Sequence, residues 1–291
     1  MPQGLAPEKR VTAAPCGKLR AIRLNFGDRM DAPSTQPKPH RGIYLLPNLL
    51  TTVAMFAGFY AIIAAIGGQY ADAVIAIFVA ALFDGLDGRV ARLTNTQSAF
   101  GVQYDSLSDL VSFGVAPALV LYVWSLQSLR GLGPAWGKLG WAAAFIFAAC
   151  GALRLARFNT QVGVADKRFF QGLAIPAGAG LVMSYVWTVL DLGLTGAQVQ
   201  FITPVVAVAA GLLMVSRFRY YSFKSWPRSD KVPFFWLILI VLILVALAMN
   251  PPRVLFSIAV IYALSGPIVT LWGRARARGR REPRAPGTHT P

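Results

Sequence analysis

The amino-acid sequence predicts an all-α, polytopic membrane bundle of about eight transmembrane helices with both termini cytoplasmic, and three observations carry that expectation. Of the 291 residues 55% are hydrophobic and 14% charged, with a mean hydropathy of +0.53; soluble chains run at about 45–50% apolar and about 25% charged. The apolar residues come in blocks long enough to cross a bilayer, which takes about 20 residues as a helix. The charges gather at the two ends and between the blocks.

Residues 1–43 are polar, basic and proline-containing, without the apolar core of about 7–15 residues that a signal peptide needs. They are expected to form a largely disordered cytoplasmic tail, with a short amphipathic piece around Leu19–Phe26. Eight spans come next at about 44–67, 71–92, 101–127, 137–157, 173–191, 199–216, 233–249 and 253–272, which makes 44–272 one transmembrane domain. Residues 273–291 are expected as a second basic, disordered tail. Of the 28 Lys and Arg, all but Arg130, Lys138 and Arg253 fall in the tails or in the connections after spans 2, 4 and 6. The positive-inside rule then places both termini, and the turn between spans 2 and 3, on the cytoplasmic side of the inner membrane. Trp124, Trp136, Trp141, Trp187 and Trp226 are expected in the interfacial belts. Gly67-Gly68, Gly131-Leu-Gly133 and Pro251-Pro252 are expected as turns.

Composition also excludes chemistry. Cys16 and Cys150 are too few for a disulfide framework or a metal-ligand spacing, and His40 and His289 both lie in the tails. Catalysis must therefore use carboxylates, hydroxyls, amides and arginines. The net charge of +16 does not point to nucleic acid, because the basic residues flank membrane spans and no aromatic-interleaved groove accompanies them. Near an anionic lipid surface each Lys or Arg contributes about 1 kcal/mol of attraction.

The informative stretch reads Asp84-Gly-Leu-Asp87-Gly88-Arg89-Val-Ala91-Arg92 and, after eight more residues, Gly101-Val-Gln-Tyr-Asp105-Ser-Leu-Ser-Asp109. On a helix, Asp87, Gly88 and Ala91 stand at about −60°, +40° and −20° from Asp84, so two carboxylates share a face with two nearly side-chain-free positions. On the next helix Gly101, Asp105 and Asp109 stand at about 0°, 40° and 80°. A short connection makes the two helices antiparallel neighbours, and the four acids then converge near the cytoplasmic boundary. An ionised Asp costs roughly 2.5–3.5 kcal/mol at the centre of a membrane helix and less toward the interface. Divalent cations resolve the repulsion, and an oxygen-only ligand set favours Mg²⁺, Mn²⁺ or Ca²⁺ over zinc. Two ions about 3.5–4 Å apart would clamp phosphate oxygens. Gly88, Ala91 and Gly101 leave room for a phosphate-bearing ligand, and the planar fork of Arg92 suits phosphate. The competing reading, acids solvated at helix ends beside Arg89 and Arg92, does not account for four acids aligned with Gly and Ala.

The spacing D-x2-D-G-x2-A-R-x8-G-x3-D-x3-D, matched here at every fixed position, resembles the signature of the CDP-alcohol phosphatidyltransferases. The resemblance implies that Asp84, Asp87 and Asp105 are metal ligands and that Asp109 is the general base, also touching a metal. It implies a CDP pocket lined by Asp84, Gly88, Ala91, Arg92 and Gly101, and two divalent cations, Mg²⁺ or Mn²⁺. Leu46-Pro47-Asn48-Leu49-Leu50-Thr51, the run from Asp105 through Gly114 to Pro117, Ala152-Leu153-Arg154-Leu155-Ala156-Arg157-Phe158-Asn159, Phe170-Gln171-Gly172-Leu173-Ala174-Ile175-Pro176 and Met214-Val215-Ser216-Arg217-Phe218-Arg219-Tyr220 are similar to one branch of that family, the integral-membrane phosphatidylserine synthases. That branch implies CDP-diacylglycerol and L-serine as substrates, phosphatidylserine and CMP as products, and allows a homodimer. The likeness covers about residues 44–272 and departs at Ala54, where Asn is common, and at Ala174, where Pro is.

Serine is a zwitterion, so its site needs a cation for the carboxylate. Arg154 and Arg157 end span 4 on the active-site side; each is read either as that cation or as an anchor at the membrane surface, with Arg154 the stronger candidate. Asn48 is read as a helix cap or, with Thr51 one turn on, as a contact to phosphate or metal. Gly172 to Gly180 is expected to serve close helix packing or to open a path for acyl chains. Another acceptor, such as glycerol 3-phosphate, would use the same donor chemistry. A transporter would need acids spread through membrane depth or repeated halves, whereas spans 5–8 hold only Asp191 and Asp230.

Overall fold

Proline and glycine set the helix boundaries. The computed structural model describes residues 45–96, 98–160, 169–221 and 234–279; the first expected tail with its Leu19–Phe26 piece, the second tail beyond residue 279, Trp226 and Asp230 lie outside the described residues. Helices α1 (Leu45–Ile66), α2 (Tyr70–Leu93), α3 (Ala99–Asp109), α4 (Ala116–Trp124), α5 (Pro134–Thr160), α6 (Ile175–Asp191), α7 (Ile202–Val215), α8 (Phe234–Met249) and α9 (Pro251–Gly279) fall on the eight expected spans, with α3 and α4 sharing the third. Gly67 and Gly68 close α1. Prolines open α5 and stand in the first turn of α6, where their missing N–H is no loss. Two expected turns are corrected. Pro251 and Pro252 begin α9 rather than standing in a loop, for the same reason. Residues 131–132 belong to a 3₁₀ segment, Leu126–Leu132, and only Gly133 takes the left-handed turn, at φ 129°.

Four segments are long and apolar enough to cross a membrane: Leu45–Ile66, Ala99–Leu132, Pro134–Thr160 and Pro251–Trp272. Helices α6, α7 and α8 are apolar but shorter. No residue of α8 is buried, and a helix that is apolar all round without protein cover suits lipid. The described fold is helical except for a ribbon in which β1 (Phe169–Gln171) pairs antiparallel with β2 (Arg219–Tyr221), Phe170 opposite Tyr220. The ribbon ties the chain after α5 to the chain after α7.

Between α3 and α4 the helix slips into a π turn, Leu110–Val115, in which the Ala116 N–H bonds the Val111 carbonyl. Pro117 supplies a reason: it has no N–H to offer the Phe113 carbonyl, so the regular ladder cannot continue. The π turn lies immediately after Asp109. Helix α1 crosses it closely, because Gly58 has no side chain; a Cβ there would stand 2.5 Å from Ser112 Oγ and 2.7 Å from Ser112 Cα. Ser112 Oγ in turn donates to the Ala54 carbonyl at 3.2 Å. The departure at Ala54 is thus a fully packed position, 2% exposed in the α1 seam.

The Gly172–Gly180 segment serves packing. Gly172 has φ +79°, and a Cβ there would meet the Met214 carbonyl oxygen at 2.3 Å; at Gly178 it would meet the Met214 sulfur at 2.9 Å. At the other end of the bundle a buried polar knot joins three elements. Ser125 Oγ donates to the Gly196 carbonyl at 2.7 Å and lies 2.9 Å from Thr203 Oγ1, which is 3.2 Å from the Tyr185 hydroxyl. Trp124 packs edge-on to Tyr185 and is only 6% exposed, so it is a core residue and not part of a belt. Trp187 stacks obliquely on Phe78, while Trp136 and Trp141 stay exposed.

Gly58→Val should destabilise the protein by the roughly 1–3 kcal/mol typical of overpacking, read as a lower melting temperature in detergent. Gly85→Ala, where a Cβ meets nothing within 4 Å, should change it little; equal melting of the two variants would refute the close crossing.

Candidate active site

The site is built from α1, α2 and α3. Helix α2 ends at Thr94, and α3 starts at Ser98, whose Oγ accepts the Gly101 N–H at 2.9 Å and caps the new helix. This tight connection returns the chain alongside α1, which packs against both acidic helices. The outcome is that one carboxylate oxygen from each of Asp84, Asp105 and Asp109 lies within 4.8 Å of the other two.

Asp87 lies outside that triad. It is 4% exposed, and its Oδ2 accepts the Thr51 hydroxyl at 2.5 Å. The same hydroxyl lies 3.1 Å from the Pro47 carbonyl; its single proton serves the shorter bond, to the carboxylate, since hydrogen bonds to charged acceptors are the stronger kind. The Thr51 carbonyl accepts from Ser108 Oγ on α3 at 3.2 Å. Thr51 therefore touches α2 with its side chain and α3 with its backbone. Sequence reasoning singled Thr51 out for phosphate or metal; its observed partner is a carboxylate.

Asn48 does not cap α1. The helix begins at Leu45, three residues earlier, and Asn48 Oδ1 lies 3.3 Å from the point a Cβ on Gly101 would occupy. Asn48 and Gly101 are thus brought together one turn of α3 before Asp105. Gly88 is exposed, with nothing within 4 Å of an added Cβ, and Ala91 is half-buried one turn on. Arg92 is exposed, and its Nε donates to the Gly88 carbonyl at 2.8 Å, so the terminal guanidinium nitrogens are not used in that bond.

Helix α5 brings Arg154 beside the cluster. It is half-buried within electrostatic reach of Asp109 and of Tyr262 on α9, and its buried Nε has no hydrogen-bond partner among the described residues. Arg157 turns away: it donates to the Gln171 side chain and reaches the Val215 carbonyl at 3.5 Å, bracing the ribbon. Two further contacts went unassigned in the sequence. Asn159 Nδ2 donates to Ser106 Oγ at 3.0 Å, and Tyr104 and Thr52 share a hydroxyl contact of 2.9 Å. Ser106 and Tyr104 flank Asp105, so these bonds anchor the acidic turn to α5 and α1. The only advance signal was polarity, a Ser between two acids and an Asn at the end of a span.

The arrangement fits a divalent cation. Asp105 Oδ1 and Asp109 Oδ1 are buried without hydrogen-bond partners among the described residues, and unpaired buried carboxylate oxygens carry the full desolvation cost. The donor set is oxygen only, as Mg²⁺, Mn²⁺ and Ca²⁺ prefer.

Known proteins are similar to this chain over the region that holds the site. Residues 44–215 match the family model described as CDP-alcohol phosphatidyltransferase. A Helicobacter pylori (strain ATCC 700392 / 26695) protein named CDP-diacylglycerol--serine O-phosphatidyltransferase is 39% identical over 207 residues, covering 71% of this chain and 84% of that one. A Methanocaldococcus jannaschii protein of the same name is 36% identical over 197 residues, 68% of this chain and 83% of that one. The Mycobacterium tuberculosis (strain H37Rv) protein of that name is 41% identical over 174 residues, 57% of this chain and 54% of that one. A matched region that contains α1, both acidic helices and Arg154, together with these identities, shows that the chain belongs to the CDP-alcohol phosphatidyltransferase family.

Proposed function

We propose that this chain transfers the phosphatidyl group of CDP-diacylglycerol to the hydroxyl of L-serine, giving phosphatidylserine and CMP at the cytoplasmic face of the membrane. The observation that carries the reading is the convergence of Asp84, Asp105 and Asp109 beside open space at Gly88. Family membership supports the CDP-linked donor, and the shared name of the relatives supports serine. The orientation, with eight crossings and both termini cytoplasmic, rests on the Lys and Arg distribution.

Asp84, Asp87, Asp105 and Asp109 would hold two Mg²⁺ or Mn²⁺ ions, which when bound neutralise the pyrophosphate and the departing phosphate. The remaining work falls to the chain itself. Gly88, Ala91 and Gly101 clear the space for the CDP group, and the terminal nitrogens of Arg92 pair with its phosphate. Asn48 stands beside Gly101. Arg154, with a free buried Nε next to Asp109, orients serine through its carboxylate. Asp109 takes the proton of the serine hydroxyl; the serine oxygen forms a bond to the lipid-bearing phosphorus as the bond to the CMP oxygen breaks. Thr51 fixes the Asp87 carboxylate by donating to its Oδ2, as an outer-shell donor does for a ligating carboxylate.

Purified protein given CDP-diacylglycerol should form labelled lipid from labelled serine and none from glycerol 3-phosphate, and a chelator should abolish it. Product from glycerol 3-phosphate alone would move the proposal to that acceptor. Asp109→Asn should lower turnover by the roughly 10²–10⁴-fold typical of general-base help while CDP-diacylglycerol still binds; normal turnover would remove Asp109 from the base role. Thr51→Val should cost roughly 10–100-fold in activity or in apparent metal affinity, and Thr51→Ser should restore most of it. If valine serves as well as threonine, the bond to Asp87 has no bearing on the site.

A further inference from the structure

At the end of the bundle opposite the acidic cluster, the structure presents a second charged site. A cavity of about 440 Å³ is lined by Arg130, Gly133, Pro134, Gly137, Lys138 and Trp141. Lys138 and Arg154 stand on the same helix, α5, sixteen residues apart, or roughly 24 Å at 1.5 Å per residue. Among the described residues this end of the molecule is poor in cations, with Arg130, Lys138 and Arg253 as its basic residues. Arg253 is neutralised: its Nη2 and Nε lie 2.9 and 3.0 Å from Asp191 Oδ2. Arg130 and Lys138 form no ion pair among the described residues, and both open onto the cavity. Arg130 is held in place by its neighbours. Its guanidinium carbon sits 5.6 Å from the centre of the Tyr122 ring, and the bare Cα of Gly137 admits its stem, since a Cβ there would meet Arg130 Cγ at 3.0 Å.

The cavity continues into an apolar stripe. Residues three and four apart share a helix face, so Lys138, Trp141 and Phe145 succeed one another along α5. Trp141 and Phe145 stack with ring centres 5.6 Å apart and planes 4° from parallel, and they are 59% and 58% exposed. Helix α5 is one of the segments apolar and long enough to cross a membrane, and Trp is favoured at the membrane–water boundary. Two unpaired cations at the boundary, directly above an exposed aromatic ladder running into the hydrocarbon, match a molecule that is anionic at one end and apolar along its length. A soluble anion would use the cations and leave the ladder bare; a neutral lipid would use the ladder and leave the cations unpaired.

We propose that Arg130, Lys138 and Trp141 form a binding site for the phosphate of an anionic glycerophospholipid in the leaflet opposite the active site, with an acyl chain lying along Trp141 and Phe145. The site is separate from the acidic cluster and stands or falls independently of the acceptor assignment. It gives the enzyme a lipid contact in the leaflet that its own chemistry does not reach.

The test uses the full chain in nanodiscs of phosphatidylcholine with increasing phosphatidylglycerol, then native mass spectrometry of the lipid that stays bound after release into detergent. Wild type should retain phosphatidylglycerol preferentially. Each basic residue is worth roughly five-fold in lipid preference, so Arg130→Gln or Lys138→Gln should lower it by about that factor and the double variant should bring it near parity. Arg130→Lys should keep most of the preference, and Trp141→Ala should weaken retention of both lipids. Excess glycerol 3-phosphate should fail to displace the bound lipid. All these side chains are exposed or half-exposed and away from the acids, so CMP release serves as the check that each variant is folded. Equal retention of phosphatidylglycerol by wild type and the double variant would overturn the proposal, and so would displacement by glycerol 3-phosphate, which would mark a plain anion site.

Discussion

Bringing like charges together inside a membrane protein is the constraint that organises this molecule. Asp84, Asp105 and Asp109 come from two different helices and meet within 4.8 Å, an arrangement whose repulsion and desolvation the fold must oppose. Helix α1 opposes it by acting as a common wall. Thr51 donates to Asp87 on α2 and, one peptide unit away, accepts from Ser108 on α3. Further along the same helix, Thr52 meets Tyr104 and the Ala54 carbonyl meets Ser112. The hydroxyls of Tyr104, Ser108 and Ser112 are thus spent on α1, while Asp105 Oδ1 and Asp109 Oδ1 keep no hydrogen-bond partner among the described residues.

That wall requires close approach, and the sequence supplies it in small residues. Gly58 lets α1 touch the backbone at Ser112, and the π turn there begins directly after Asp109. An inserted residue rotates the downstream helix by about 100° relative to an unbroken one. The face carrying Asp105 and Asp109 therefore need not continue the face that α4 buries in the core. On the opposite flank Asn159 and Ser106 clasp α5 to α3, and this clasp also sets Arg154 beside Asp109.

The two ends of the bundle differ in chemistry. One carries the acidic cluster, Arg154 and the β ribbon. The other carries the buried Ser125–Thr203–Tyr185 knot, the Asp191–Arg253 pair and the basic cavity over Trp141. Helix α5 spans both, so a ligand at either end contacts the same rigid element.

The sequence by itself determined what rests on composition and period, the helical membrane class and the positions of the apolar helices, and its acidic motif, through its resemblance to a family, pointed to the donor chemistry. Those were legible because apolar block length and helical spacing are local properties, and eight fixed residues at set spacings leave little freedom. Only the tertiary structure decided how each polar group is spent. Asp87 separates from the other three because Thr51 reaches it across helices; Asn48 faces Gly101 because α1 starts three residues earlier than a cap would need; Trp124 turns inward because Tyr185 offers it an edge. Each of these depends on a partner far away in the chain, at 36, 53 and 61 residues' separation by the numbering of those pairs. No local pattern encodes such a pairing, whereas the packing of one helix against another does.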